Sequence, residues 1–171
     1  TINAEQIATL RGLGIAITTL SSAYIWKRGL SALKQIGPAR ENEILPMRSL
    51  LEAGVPVCLA TDNVPVSLWP SISHVVERKD RETGTVVSPD QRISVEQALR
   101  CVTVDGAWLC GDEKIRGMLT EGRQADLIVV DQDPLVCQTS DLSSISADLT
   151  MVDGMIVYQK PRWEDSTSQA L

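Results

Sequence analysis

A chain of 171 residues with 43% hydrophobic side chains is long enough for one medium domain or two small ones and can bury a core. Its net charge of −6, its pI near 4.8 and its 4% aromatic content exclude a phosphate backbone or an anionic membrane as the expected partner. No apolar run approaches the roughly 20 residues of a spanning helix, and the opening TINAEQIATLRG lacks the basic and apolar regions of a signal peptide; an acidic chain with unpaired-looking cysteines suits the cytoplasm, the expected compartment.

In chain order, Asn3 and Gln6 have capping-box spacing ahead of Ile7 and Leu10, and Gly12 with Gly14 ends a short helix at about residue 12. A strand is expected over 15–20, where Ile15, Ile17, Thr18 and Thr19 suit a pleated surface. Ser21-Ser22-Ala23 then opens what reads as a loop past Trp26 to Gly37-Pro38-Ala39-Arg40. PMRSLLEA predicts a helix from Pro46 to Ala53, and Gly54 leads into a buried strand over 57–62. That strand stops at Asp62, because Asn63 and Pro65 are turn formers. The order α, β, α, β fits an α/β barrel, in which a carboxylate at a strand's carboxyl end sits at the active-site mouth. The plainer reading is that Asp62 hydrogen-bonds its own loop or caps the next helix.

His74 falls in a helix-like stretch, SISHVVER, and reads as a surface or packing histidine. The charged run from Glu77 to Arg92, with Gly84 and Pro89, reads as an exposed loop. Ser94 and Gln97 form a second capping-box pair over a helix whose buried face is Val95, Ala98, Leu99 and Val102; Thr103 is placed to cap a short helix ending at Gly111. Beyond Gly117 the pattern becomes strand-like. A turn at Glu121-Gly122 precedes an apolar run from Leu127 to Val130, and Asp153-Gly154 between apolar segments signals a type I′ hairpin. The last residues, PRWEDSTSQAL, form a polar tail in which Trp163 could dock. The four cysteines, Cys58, Cys101, Cys110 and Cys137, have no C-x-x-C spacing and read as reduced core residues, not as a zinc-thiolate site.

Taken together, Gly37-Pro38 with Arg40, PMRSLLEAGVPVCLATDNVP, ISVEQALRCVT with Gly106-Ala107, GMLTEGRQADLIVVDQDPL and VDGMIVY resemble amidohydrolase family 3, the YtcJ-like branch of metal-dependent amidohydrolases that includes N-substituted formamide deformylase. The resemblance implies an α/β fold in which residues 1–112 are the C-terminal remnant of a (β/α)8 TIM-like barrel, with strands seven and eight at 15–20 and 57–62. Residues 113–160 would form a small composite β-sandwich domain, and 161–171 a polar tail. It also implies a divalent metal, expected to be zinc, in the intact enzyme, with Asp62 as a metal ligand and general base toward the attacking water. Arg40, Trp26, Asn63 and Trp69 become candidate substrate-binding residues. For Arg40 an ordinary surface ion pair is an equal reading, and for the tryptophans so is loop packing.

The family's histidine ligands lie on earlier strands, and this sequence has one histidine, His74. The expectation is therefore an incomplete hydrolase of amide or N-formyl C–N bonds, acting when intact on a small amide-type substrate. Alone, it should hold metal weakly or not at all, show little activity, and self-associate through open strand edges. The alternative is a non-catalytic scaffold or a subunit that completes a site with another chain. A metal-free hydrolase built on Asp62 lacks any Ser/His or Cys/His arrangement in the sequence.

Overall fold

The computed structural model describes residues 1–62 and 66–161. Helix α1 (Ala4–Gly12) starts under the expected capping box, the Asn3 and Gln6 side chains each accepting from the other's amide at 2.9 Å. Strand β1 (Ile17–Thr19) is shorter than the expected 15–20, and β2 (Val57–Leu59) follows helix α3 (Met47–Glu52). The two strands pair in parallel, Ile17 opposite Val57 and Thr19 opposite Leu59. Every residue of β2 is buried, as a strand covered on both faces requires.

The stretch between β1 and α3 is not a loop. A π-helical turn (Ser22–Lys27), helix α2 (Gly29–Ile36) and a 3-10 turn (Pro38–Glu43) fill it. Leu30, Leu33 and Ile36 recur at helical spacing in α2, but the flanking Gly29, Gly37 and Pro38 hide that short pattern. Gly29 is buried where the chain crosses Val87; a Cβ there would lie 3.3 Å from that side chain.

Helix α4 (Trp69–Glu77) has Pro70 in its first turn and buries Ile72 and Val75. Helix α5 (Val95–Val102) carries its predicted capping box, Ser94 Oγ accepting from the Gln97 amide at 3.1 Å, and buries Ala98 and Cys101 completely. The Thr103 hydroxyl does not cap α6 (Val104–Leu109); it donates back to the Leu99 carbonyl at 2.8 Å. Met47, Leu50, Val55, Val57, Leu59, Ile72, Val75 and Ile93 belong to one hydrophobic core, so the core joins helices α3 and α4 to β2.

The charged run after α4 departs from its predicted exposure at several residues, above all at Arg78. Arg78 takes a left-handed conformation (φ 57°) at the C-cap of α4 and is fully buried. Its guanidinium donates to the carbonyls of Val87 at 2.8 Å, Leu45 at 3.1 Å and Ile44 at 2.6 Å. Those bonds fold the 78–92 segment back onto the segment entering α3. Burial pushes the guanidinium down to about 10, against the attraction of Glu41. Asp80, Val87, Ser88 and Gln91 in the same run are also buried.

The second layer is an antiparallel sheet of β3 (Leu127–Val130), β4 (Ala147–Val152) and β5 (Met155–Gln159), in the order β3-β4-β5. Its hairpin is the one expected, with φ of 50° at Asp153 and 77° at Gly154, as a type I′ turn demands. Between β3 and β4 a 3-10 turn (Thr139–Ser144) packs against α4 and delivers Leu142 and Ile145 to the main core. Every residue of β5 is exposed. No helix among the described residues is long and apolar enough to cross a membrane.

Candidate active site

The parallel ladder fixes the first element of the site. Beyond Leu59, one more bond joins the strands, the Ala60 amide donating to the Thr19 carbonyl at 2.9 Å. The chain then leaves the sheet through Thr61 to Asp62, which is exposed three residues past the end of β2; the strand stops at Leu59, short of the expected 57–62. Asn63 and Pro65 lie outside the described residues. Trp69 is the first residue of α4, half-buried, and packs against the core.

Arg40 and Trp26 lie on the helical segment that replaces the expected loop. Arg40, in the 3-10 turn, is exposed and pairs with Glu43, Nη2 to Oε2 at 2.5 Å; the hydrogen bond and the charge hold the Glu43 carboxyl below its ordinary range. Trp26, in the π-helical turn, stacks on His74 with ring centroids 5.2 Å apart and planes 16° from parallel. The Arg81 guanidinium carbon lies 5.9 Å from the Trp26 ring centroid. Trp26, His74 and Arg81, but not Arg40, border a cavity of about 250 Å³ that also meets Ser140 and Ser143, toward the C-terminal end of α4. Asp62 precedes the N-terminal end of that helix.

His74 is therefore a packing residue with a partner the sequence did not reveal. Its Nδ1 is 3.0 Å from Ser22 Oγ, across 52 residues of chain. Burial pushes the imidazole down to about 4 even though Glu77 favours its charged form, so it is neutral at pH 7. No spacing motif links Ser22 to His74; only the packing of the π-helical turn on α4 brings them together.

The described residues do not by themselves fit a divalent metal. Among them no group of three or more His, Cys, Asp and Glu side chains is placed to hold an ion. The one histidine is engaged with Ser22 and Trp26. The cysteines are free, and burial pushes the Cys101 thiol up to about 12 and raises that of Cys58, opposite to what a thiolate ligand needs. Cys58 Sγ instead donates to the Asp105 carbonyl at 3.0 Å, tying β2 to α6.

Against known proteins, the sequence pattern of the amidohydrolase family matches residues 1–158. The chain belongs to the amidohydrolase family. It falls in family 3 of these metal-dependent hydrolases. Over 119 residues it is 32% identical to the N-substituted formamide deformylase of Arthrobacter pascens, a match covering 69% of this chain and 22% of the deformylase. An uncharacterized metal-dependent hydrolase from Pyrococcus horikoshii superimposes with a TM-score of 0.68 at 21% identity, over 81% of this chain and 28% of that one. A zinc-bound adenosine deaminase from Xanthomonas campestris does so with a TM-score of 0.66 at 17% identity, over 93% and 35%. At those identities the two structures speak for the fold alone, a mixed α/β amidohydrolase fold. The match thus spans about a fifth of the deformylase's length.

Proposed function

We propose that residues 1–112 form the last two strands and adjoining helices of an amidohydrolase barrel, and that residues 113–160 belong to its β-sandwich. The enzyme would hydrolyse a C–N bond, in an amide or an N-formyl amine, using a divalent metal, expected to be zinc, whose remaining ligands lie outside these residues. The observation that carries this reading is the exposed carboxylate of Asp62 three residues past the carboxyl end of a buried parallel strand, in a chain of this family.

In that role Asp62 takes a proton from the attacking water and returns it to the leaving nitrogen. Asn63 and Trp69 follow Asp62 in sequence and are proposed as substrate-binding residues. Arg40 and Trp26 would reach substrate only in competition with Glu43 and His74, their present partners. A two-strand parallel pair and an open antiparallel sheet leave edges to satisfy, and in isolation the chain is proposed to pair with a second copy of itself.

The test is turnover of N-formyl and N-acyl amines by a zinc-loaded polypeptide that includes both this chain and the family's histidine ligands. Asp62→Asn is expected to lower kcat/KM by about a thousandfold, the scale of a lost acid–base group. Unchanged turnover would overturn the role of Asp62. Residues 1–171 alone are expected to give no turnover above that of Asp62→Asn.

A further inference from the structure

We infer that Ser71 is a positioning residue that sets where Asp62 leaves the sheet, with Ser21 holding Ser71 in place. The β1–β2 ladder ends one bond beyond Thr19 and Leu59, at the Ala60 amide. The Ala60 carbonyl is then taken by the Ser71 hydroxyl at 3.2 Å. The Ser71 carbonyl in turn accepts from the Ser21 hydroxyl at 2.9 Å. Ser21 lies two residues past the end of β1, so the series Thr19, Ala60, Ser71, Ser21 closes a ring across both strand ends and the first turn of α4.

Both serines are out of water, Ser21 at 0% and Ser71 at 1% exposure. A buried hydroxyl there must find a partner; removing that of Ser71 leaves the half-buried Ala60 carbonyl without its donor, and removing that of Ser21 strands the buried Ser71 carbonyl. Geometry links the ring to the candidate base. Asp62 is two residues beyond the clamped Ala60 peptide, about 7 Å of extended chain, so the tilt of that peptide directs Thr61 and Asp62. Without the Ser71 bond the Ala60 carbonyl has no ladder partner and the peptide can rotate. This assignment rests on the reading of Asp62 above for its bearing on turnover, but not for the orientation it describes.

The test reads Asp62 directly. In residues 1–171 carrying carboxyl-labelled aspartate, the Asp62 carbon resonance, assigned with Asp62→Asn, is expected to shift or split in Ser71→Ala and to stay in place in Ser71→Thr, which keeps the hydroxyl. The Asp131 resonance, held by Ser146, is expected not to move. An unmoved Asp62 signal in folded Ser71→Ala would overturn the inference; should that variant not fold, Ser21→Ala is read by the same criterion.

In the zinc-loaded enzyme Ser71→Ala is expected to lower kcat about tenfold with KM unchanged, and to have no further effect in an Asp62→Asn background. Equal losses in both backgrounds would show that Ser71 does not act through Asp62. If Asp62→Asn leaves turnover intact, the functional reading fails while the resonance still decides the orientation.

Discussion

The two sheets of this chain obey opposite rules. The parallel pair β1–β2 supplies a wholly buried strand, and helices α3 and α4 share its core. The antiparallel sheet leaves β5 wholly exposed, with Met155 at 67%, Val157 at 58% and Ile156 at 54%. Apolar residues on both faces of one strand suit a strand covered on both sides, and these are uncovered. The packed region therefore holds the core and the candidate site, whereas the exposed sheet is the surface through which the proposed self-association would run.

The largest break in this contrast should come at Arg78. Arg78→Met leaves the carbonyls of Ile44, Leu45 and Val87 buried without their donor, and about 3 kcal/mol of stability should be lost. Urea unfolding checks this; a loss below about 1 kcal/mol would mean that other donors replace the guanidinium.

Acid should act on the same region through His74. Its folded value, about 4, is below its ordinary 6.5, so as pH falls from 6.5 toward 4 the unfolded chain takes up a proton that the native chain refuses. The His74 contribution is fully present above pH 6.5 and lost on the way down to 4. His74→Gln keeps an acceptor for Ser22 and should flatten that part of the stability profile; parallel profiles of the two proteins would contradict it.

Smaller effects sharpen the other side. Gly154→Ala forces a side chain into positive φ and should cost about 1 kcal/mol, seen as faster amide exchange in β4 and β5 with the α4 amides unchanged. Val157→Lys should change monomer stability by less than about 0.5 kcal/mol. It should nevertheless reduce the association measured by light scattering at micromolar concentration. A wild-type chain that is already monomeric there would remove the sheet's proposed role.

Where one local signal suffices, the fold is legible in the sequence. The capping boxes at Asn3 and Ser94 place two helices, and Asp153-Gly154 places the hairpin, because each fixes backbone geometry through neighbours in sequence. Ser22–Lys27 escaped because a π-helical turn follows neither the period of an α-helix nor that of a strand. Arg78 escaped because its partners are carbonyls, which every residue carries and no sequence displays. The buried strand leading toward Asp62 is legible from VCLATD, though it stops at Leu59, and the serine ring behind it joins segments 50 residues apart. The Ser22–His74 contact is hidden for the same reason.

Asp62 is proposed to belong to a metal centre that these residues do not complete. Zinc loading of residues 1–171, desalting and elemental mass spectrometry test it most directly, with Asp62→Ala alongside. Far less than one zinc per chain is expected in both proteins. Near-stoichiometric zinc retained by the wild-type chain alone would contradict it.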